Sequence, residues 1–321
     1  MLNQLKQKFI TASNGLGRIV CYESYLPGLN LARIIQQNKI AIEELLLTYG
    51  GVLFRGFNIR SVTEFESLAK IVAPHLLDYK FRSTPRTQVE GKIYTSTEYP
   101  ANRFIQFHNE CSYSSSWPNK ILFFCVIPSI KGGETALADS RHVYNKINIK
   151  VREKFDRTGI TYVRNYIQGL DISWREVFQT SHKSEVEQYC NNYGISYEWK
   201  SGLIELTTKQ TTQATLSHYK TGEHIWFNQA HMFHSSSLQP NEKSALLNLL
   251  GADQNLPRNV LTGNNESIDD NDFEHIRATY ESERIEFAWQ KYDLLLLDNI
   301  LMAHSRNPFE GDRKIVVAMG S

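Results

Sequence analysis

The stretch DLLLLDNILMAHSRNPFEGDRKIVVAMG, residues 293–320, decides the fold class. Its two ends, DLLLLDN at 293–299 and KIVVAM at 314–319, are short apolar runs rich in branched residues, which predicts two buried strands. The part between them, HSRNPFEGD, concentrates residues typical of turns, so we expect a loop that His304 opens. The stretch therefore predicts two strands joined by a loop that carries ionisable side chains.

Short strands are also predicted in the rest of the chain. They are GVLFRGF, ILFFCVI, TALAD, TYVRNYI and EHIWFNQ, which begin at residues 51, 121, 135, 161 and 223. Helical spacing of apolar residues predicts one helix over 30–49 and others over 140–157 and 272–283. Strands and helices do not alternate regularly, as they would in a parallel sheet. We predict a mainly β protein with a β-sandwich or jelly-roll core and peripheral helices, in a single domain over residues 1–321.

The composition indicates a globular protein and excludes several partners. Apolar residues make up 41% and charged residues 21% of the 321 residues, and the net charge is +1. This balance predicts no nucleic-acid partner and no anionic membrane surface. No run of 18 apolar residues exists, so we expect no membrane span. The first residues lack the pattern of a signal peptide, so we expect none. The four cysteines form no CxxC pair, which favours a reduced, cytoplasmic setting. The sequence carries no indication of oligomeric state.

The segment FHNECSY, residues 107–113, places His108 two residues before Glu110. On a strand, both side chains would point to one face and could bind the same metal ion, whereas Cys111 would point away as a buried thiol. His304 is a candidate third ligand. Two imidazoles and one carboxylate leave three positions of an octahedral ion open, which is the facial triad of non-haem Fe(II) oxygenases. By itself, the HxE spacing favours a simpler interpretation, a half-exposed strand histidine beside a surface carboxylate.

Six segments along the chain carry a more specific signal. They are GVLFRGF (51–57), STEYPANRFIQFHNECSY (96–113), FFCVIPSIKGGETALADSR (123–141), TYVRNY (161–166), HIWFNQA (224–230) and LLLLDNILMAHSRNPFEGDRKIVVAMG (294–320). Together they resemble the taurine dioxygenase-like family of Fe(II)- and 2-oxoglutarate-dependent oxygenases. More narrowly, they resemble the branch related to the syringomycin-biosynthesis aspartate hydroxylase. The resemblance covers roughly residues 50–320 and implies a double-stranded β-helix, the jelly-roll core of this superfamily.

The resemblance also assigns five side chains to the cofactor Fe(II) and the cosubstrates 2-oxoglutarate and O2. It implies His108, Glu110 and His304 as iron ligands. Arg313, nine residues after His304, matches an arginine that pairs with the distal carboxylate of 2-oxoglutarate, and Thr135 matches a threonine that adds a hydroxyl. Alternatively, Arg313 forms a surface salt bridge and Thr135 is an ordinary strand residue. The carboxylate of Glu110 favours oxygen insertion over halogenation, while desaturation, epoxidation and cyclisation share the same site.

The resemblance implies hydroxylation of an unactivated C–H bond in specialised metabolism. The substrate would be an amino acid or a related small molecule, either free or tethered to a carrier protein. Candidate substrate contacts are Arg306, Asn109, Tyr113, Tyr99, Asn228 and Arg141. Arg306 lies two residues after His304, so it could face the same pocket. The others also fit ordinary roles, such as a turn cap for Asn109, core packing for the tyrosines, and pairing of Arg141 with Asp139.

Two other functional classes are compatible with the same metal ligands. One is an inert jelly-roll protein that binds a metal or a small ligand, although such a module has no need of Arg313 beside the triad. The other is a zinc hydrolase, which predicts no arginine for 2-oxoglutarate and no requirement for O2. A second pair, His231 and His234, has HxxH spacing without an acidic neighbour, and we interpret both as loop or core histidines.

Overall fold

A computed structural model of the chain describes residues 2, 5–26, 28–78, 84 and 86–321. Strands dominate the described part of the chain. They are β1 (Lys6–Thr11), β2 (Arg18–Glu23), β3 (Gly51–Arg55), β4 (Gln88–Glu90), β5 (Ile93–Thr95), β6 (Ile105–His108), β7 (Lys120–Ile127), β8 (Lys131–Gly132), β9 (Leu137–Asp139), β10 (Ile160–Ile167), β11 (Ser196–Trp199), β12 (Ile204–Thr212), β13 (Thr215–Ser217), β14 (His224–Trp226), β15 (Arg258–Thr262), β16 (Leu294–Asp298), β17 (Met302–Arg306), β18 (Phe309–Glu310) and β19 (Lys314–Gly320).

The helices lie between the strands in sequence and outside them in space. They are α1 (Leu31–Gln37), α2 (Lys39–Tyr49), α3 (Val62–Val72), α4 (Ser140–Lys146), α5 (Ile149–Thr158), α6 (Trp174–Phe178), α7 (Lys183–Asn192), α8 (Ala230–Phe233), α9 (Pro240–Leu250) and α10 (Asp270–Ser282). Within the described ranges, none of these helices combines the length and the apolar composition needed to cross a membrane. The prediction of a mainly β protein with peripheral helices is confirmed.

Two sheets position the candidate site. The large sheet has eight strands in the order β1-β2-β3-β16-β7-β19-β5-β4, and the small sheet has three in the order β6-β17-β9. Side chains of the large sheet such as Phe123 and Leu295 share one apolar cluster with Leu137 and Met302 of the small sheet. The two sheets therefore pack face to face, and their shared core supports the small sheet from one side.

Helices and a third sheet cover the outer faces. Helices α1, α2 and α3 pack on the other face of the large sheet, around Phe54, Phe65 and Phe124. The four-stranded sheet β11-β12-β10-β15 and α10 form a separate aromatic cluster that includes Phe107 and Ala303 of the small sheet. The small sheet thus lies between two apolar clusters, which fixes the strands that carry the two candidate histidine ligands.

The predicted strands at 51, 121, 161, 223, 293 and 314 are all present, but three predictions about this framework are wrong. The helix expected over 140–157 is two helices, α4 and α5, because residues 147 and 148 interrupt it and the Asn148 side chain caps α5 by accepting from the Lys150 N–H at 2.9 Å. The helix expected over 30–49 is two helices, because Asn38 breaks it and its side-chain amide donates to the Ile34 carbonyl at 2.7 Å. His304 does not open a loop, because residues 302–306 form β17 and pair with β6 and β9. These partners come from distant parts of the chain, so the local turn composition did not reveal them.

Candidate active site

The two candidate histidine ligands face each other across neighbouring strands. His304 of β17 stands directly opposite His108 of β6 in the antiparallel register, and their ring centroids are 4.3 Å apart. Nδ1 of His108 donates to the Gln106 carbonyl at 2.8 Å, which leaves Nε2 with its lone pair exposed toward the site. Burial lowers the pKa of both imidazoles, that of His304 well below its usual range. Both rings are therefore neutral at pH 7, the form that binds a metal.

Glu110 reaches the histidines from a turn and not from a strand. β6 ends at His108, so the prediction of a single strand carrying both ligands is wrong. The backbone N–H of Glu110 donates to the Asn299 side chain at 2.8 Å, and the Asn299 amide donates back to the Glu110 carbonyl at 3.1 Å. This reciprocal pair fixes the turn. It leaves Oε2 of Glu110 at 3.9 Å from Nε2 of His304.

Cys111 follows the turn in a left-handed conformation with φ 58°. The alternation of a strand therefore does not apply to it, and the prediction of a buried thiol on a strand is wrong. The residue is half-buried, and its Sγ lies 3.8 Å from Oε1 of Glu110. Burial raises the pKa of the thiol, which stays protonated at neutral pH.

The three side chains form a group that fits a divalent metal. One ligand atom from each of His108, Glu110 and His304 lies within 4.8 Å of the other two, and all three residues are buried. Two neutral imidazoles and one carboxylate make up the donor set of a facial triad, in which three positions of an octahedral Fe(II) stay open. The residues present therefore fit Fe(II).

Arg86 is a site residue that the sequence analysis missed. Its Nη2 donates to Oε2 of Glu110 at 2.6 Å, and the side chains of both residues are 3% exposed. The same nitrogen reaches the hydroxyl of Thr97 at 3.3 Å. This buried ion pair orients the Glu110 carboxylate through Oε2, the same oxygen that faces His304. No local pattern in the sequence distinguishes Arg86 from the other arginines of the chain.

Arg313 lines the same cavity as the two candidate histidine ligands and Thr135. Nε donates to the Gly133 carbonyl at 2.8 Å, Nη1 to the Ser96 hydroxyl at 3.4 Å and Nη2 to the Thr135 hydroxyl at 3.4 Å. The guanidinium forms no salt bridge with any described carboxylate. Burial, helped by the nearby charge of Arg306, lowers its pKa to about 10, so it stays charged at neutral pH. One N–H on each terminal nitrogen is left over, which is the fork that a carboxylate accepts.

Two cavities border this group of residues. The first, here called the narrow cavity, lies between the two histidines, Thr135, Arg306 and Arg313. The second, here called the aromatic cavity, has a volume of about 280 Å³. Its wall includes Cys111, Tyr113, Trp117, Tyr189 and Tyr193. Cys111 lines the aromatic cavity, and its Sγ lies 3.8 Å from Oε1 of Glu110, so this cavity also comes close to the triad.

The predicted substrate contacts divide into those near the site and those engaged elsewhere. Tyr113 is buried in the wall of the aromatic cavity. Arg306 lines the narrow cavity, but its terminal nitrogens donate to the backbone carbonyls of Tyr99, Pro100 and Arg103. Arg306 therefore anchors the segment 99–103, while Tyr99 itself is 49% exposed.

Three other predicted contacts have structural partners. The Asn109 amide donates to the carbonyls of Asn299 and Ile300, and the Asn228 amide donates to the carbonyl of Ala214. Arg141 pairs with Asp139 and Glu223 and also caps the end of α2 through two backbone carbonyls. His231 and His234 are buried, as expected for core histidines.

The comparisons with known proteins agree with this geometry. The model of the family described as "Taurine catabolism dioxygenase TauD, TfdA family" matches residues 18–319. The chain belongs to this family. The dapdiamide synthesis protein DdaC of Enterobacter agglomerans is 42% identical over 278 residues, which cover 87% of this chain and 84% of DdaC. A clavaminate synthase-like protein of Arabidopsis thaliana is 28% identical over 306 residues, which cover 92% of this chain and 89% of the relative.

Solved structures confirm the jelly-roll fold. The crystal structure of PvcB from Pseudomonas aeruginosa aligns with a TM-score of 0.57 at 12% identity and covers 98% of this chain and 91% of PvcB. The structure of AAD-2 in complex with Mn(II) and N-oxalylglycine aligns with a TM-score of 0.58 at 11% identity and covers 99% of this chain and 98% of AAD-2. At these identities the likeness concerns the fold.

As a member of the TauD/TfdA family, the protein is a dioxygenase that depends on Fe(II) and 2-oxoglutarate. The predicted family, enzyme class and cofactors are confirmed. Membership in this family supports a dioxygenase over the two rival classes, the inert binding protein and the zinc hydrolase.

Gly133 allows Arg313 to approach the narrow cavity, and its substitution should weaken cosubstrate binding. The residue has φ +72°, and a Cβ there would lie 2.9 Å from Cδ of Arg313 and 2.6 Å from the Ser129 hydroxyl. We expect Gly133→Ala to displace Arg313 and to raise the KM for 2-oxoglutarate about 10- to 100-fold. Gly169→Ala is the matched control, because Gly169 has φ +83° with nothing within 4 Å of an added Cβ. An unchanged KM in Gly133→Ala would contradict this account.

Proposed function

We propose that this TauD/TfdA dioxygenase hydroxylates an unactivated C–H bond of an amino acid or an amino-acid-derived small molecule in specialised metabolism. In this proposal, His108, Glu110 and His304 hold Fe(II), and Arg313 and Thr135 receive the distal carboxylate of 2-oxoglutarate. The observation that carries it is the convergence of three ligand atoms within 4.8 Å beside the half-buried guanidinium of Arg313, which forms no salt bridge with a described carboxylate.

Each side chain then has a definite task. The iron, when bound with 2-oxoglutarate, supplies the activation of O2 and the oxidation of the substrate. The neutral imidazoles and the Glu110 carboxylate fix the ion at the end of β6 and on β17. Arg86 holds the carboxylate in place, and Arg313 pairs its free N–H fork with the anionic end of the cosubstrate. Phe123, whose ring centroid lies 5.1 Å from that of His304, shields the site from water.

The aromatic cavity is the place we propose for the substrate. It borders Glu110 through Cys111, and its volume of about 280 Å³ suits a small molecule. The tyrosines offer apolar faces and hydroxyl groups, which suits a molecule with both apolar and polar parts. The relative DdaC is named for dapdiamide synthesis, which supports a role in natural-product biosynthesis. We include among the possible substrates an amino acid tethered to a carrier protein.

Formation of the ternary complex tests the cofactor assignment in this chain. Anaerobic protein given Fe(II) and 2-oxoglutarate should show the weak visible charge-transfer band of the chelate, and His108→Ala should lose it. The assignment of the ligands fails if the wild-type protein shows no band and His108→Ala has the same metal content as the wild-type protein.

The substrate is then tested by succinate release across a panel of free and carrier-bound amino acids. Product mass distinguishes hydroxylation, which adds one oxygen atom, from desaturation or cyclisation, which removes two hydrogen atoms. Epoxidation also adds one oxygen atom, and the loss of an alkene in the product identifies it. Release of succinate only with unrelated compounds would contradict the amino-acid assignment.

We also propose a cytoplasmic location. All four cysteines are free thiols, which supports a reducing compartment. Fractionation of cells that express the protein tests this, and recovery in an oxidising compartment would contradict it.

A further inference from the structure

Thr135 receives two hydrogen bonds on the same oxygen. The indole Nε1–H of Trp289 donates to its Oγ1 at 3.1 Å, and Nη2 of Arg313 donates to the same atom at 3.4 Å. Both Thr135 and Trp289 are buried, with 3% and 7% of their surface exposed. Sequence analysis identified Thr135 and Arg313 but gave no role to Trp289, which lies 154 residues from Thr135.

The two bonds constrain the direction of the hydroxyl proton. A threonine hydroxyl has one donor and two acceptor lone pairs. Trp289 and Arg313 occupy both lone pairs, so the O–H bond must point in the remaining tetrahedral direction. No described backbone or side-chain oxygen accepts this proton, and Thr135 lines the narrow cavity. The hydroxyl is therefore a donor directed at whatever fills that cavity.

We propose that Trp289 is a positioning residue for the cosubstrate site. By donating to Thr135, it keeps the threonine proton directed at the distal carboxylate of 2-oxoglutarate, beside the free N–H fork of Arg313. This inference rests on the proposed function, because it takes that carboxylate as the occupant of the narrow cavity. Together, Thr135 and Arg313 then offer three N–H and O–H donors to one carboxylate.

Packing keeps the indole in the required direction. Its ring lies 5.1 Å from the Phe287 ring at an interplanar angle of 68°, and both rings belong to the cluster between the two facing sheets. Trp289 immediately precedes the turn in which the backbone N–H of Gln290 donates to Asp293 at 2.8 Å. A phenylalanine at position 289 would keep much of this packing and remove only the N–H donor.

The test compares Trp289→Phe with Trp199→Phe. Trp199 also uses its indole N–H, to Glu187 at 2.8 Å, but it belongs to the four-stranded sheet. Each protein, loaded with Fe(II) under anaerobic conditions, is titrated with 2-oxoglutarate and separately with 2-oxobutanoate, which lacks the distal carboxylate. The visible band reports binding. We expect Trp289→Phe to weaken 2-oxoglutarate binding about 3- to 10-fold and to leave 2-oxobutanoate binding unchanged. Trp199→Phe should change the binding of neither keto acid.

A second pair of variants separates positioning from general damage. In a Thr135→Val background, Trp289→Phe should cause no further loss of 2-oxoglutarate affinity. In a Thr135→Ser background, which retains the hydroxyl, Trp289→Phe should still weaken 2-oxoglutarate binding. Equal weakening of both keto acids would show a merely structural role and overturn the inference. A normal wild-type band with an unchanged titration in Trp289→Phe overturns the inference alone. The absence of any band in the wild-type protein overturns the proposed function as well.

Discussion

Replacing His304 with alanine is expected to abolish iron binding and dioxygenase turnover. The residue supplies one of three protein donors in the proposed site, and the group of described side chains that converge there contains no fourth His, Cys, Asp or Glu. Loss of an outer partner of a metal ligand typically costs roughly 10- to 100-fold in affinity, so loss of a ligand itself should exceed this. Iron content after anaerobic loading and succinate release are the measurements.

His224→Ala is the control for this prediction, because His224 is exposed, stacks on Tyr144 at 5.5 Å and contacts the Ser217 hydroxyl at 3.5 Å, away from the site. His304 also packs against Phe123 and His108, so its truncation should lower the free energy of unfolding by about 1–3 kcal/mol. A circular dichroism spectrum like that of the wild-type protein shows that the variant is folded. A folded His304→Ala protein that keeps stoichiometric iron would remove His304 from the ligand set.

The second large effect is expected for Arg313→Leu, which should lose 2-oxoglutarate binding and keep iron. Truncating one partner of a buried charged pair costs about 2–5 kcal/mol, which corresponds to about 30-fold to several-thousand-fold in the dissociation constant. Arg313→Lys should recover only part of the affinity, since an ammonium lacks the planar fork. The measurements are the 2-oxoglutarate titration of the visible band and the iron content.

Arg152→Leu is a suitable comparison for Arg313→Leu. Arg152 lies on α5 and also donates to a backbone carbonyl, that of Tyr144 at 3.0 Å, but it has no place in the site. Arg152→Leu should leave the 2-oxoglutarate titration and the iron content unchanged. Equal affinity for 2-oxoglutarate in Arg313→Leu and the wild-type protein would place the distal carboxylate elsewhere. Loss of iron in Arg313→Leu would mean that the arginine supports the triad instead of the cosubstrate.

The sequence predicted the parts of the site that depend on neighbours in the chain. His304 and Arg313 fall within one continuous block that ends in β19, so their spacing follows from the path of the chain through that block. The same holds for Thr135 after the two glycines, because Gly132 and Gly133 both adopt positive φ in the turn before β9. Apolar runs predicted the buried strands because continuous burial needs apolar side chains.

The local pattern failed where a distant partner overrides it. The spacing of His108 and Glu110 fits a strand. In the structure, however, the backbone N–H of Glu110 lies in a turn and donates to the side chain of Asn299, 189 residues away in the sequence. The composition of residues 304–312 fits a loop, but pairing with β6 and β9 extends a strand through His304. In both cases the ligand still reaches the site, by a different backbone geometry.

The sequence by itself determined the apolar strands, because continuous burial needs apolar side chains, and its resemblance to the family supplied the proposed metal ligands and the arginine proposed for the cosubstrate. Only the tertiary structure decided which side chains support them. Arg86 meets Glu110 across 24 residues, and Trp289 meets Thr135 across 154. These contacts form because two sheets pack face to face, and no local pattern records which loops that packing brings together.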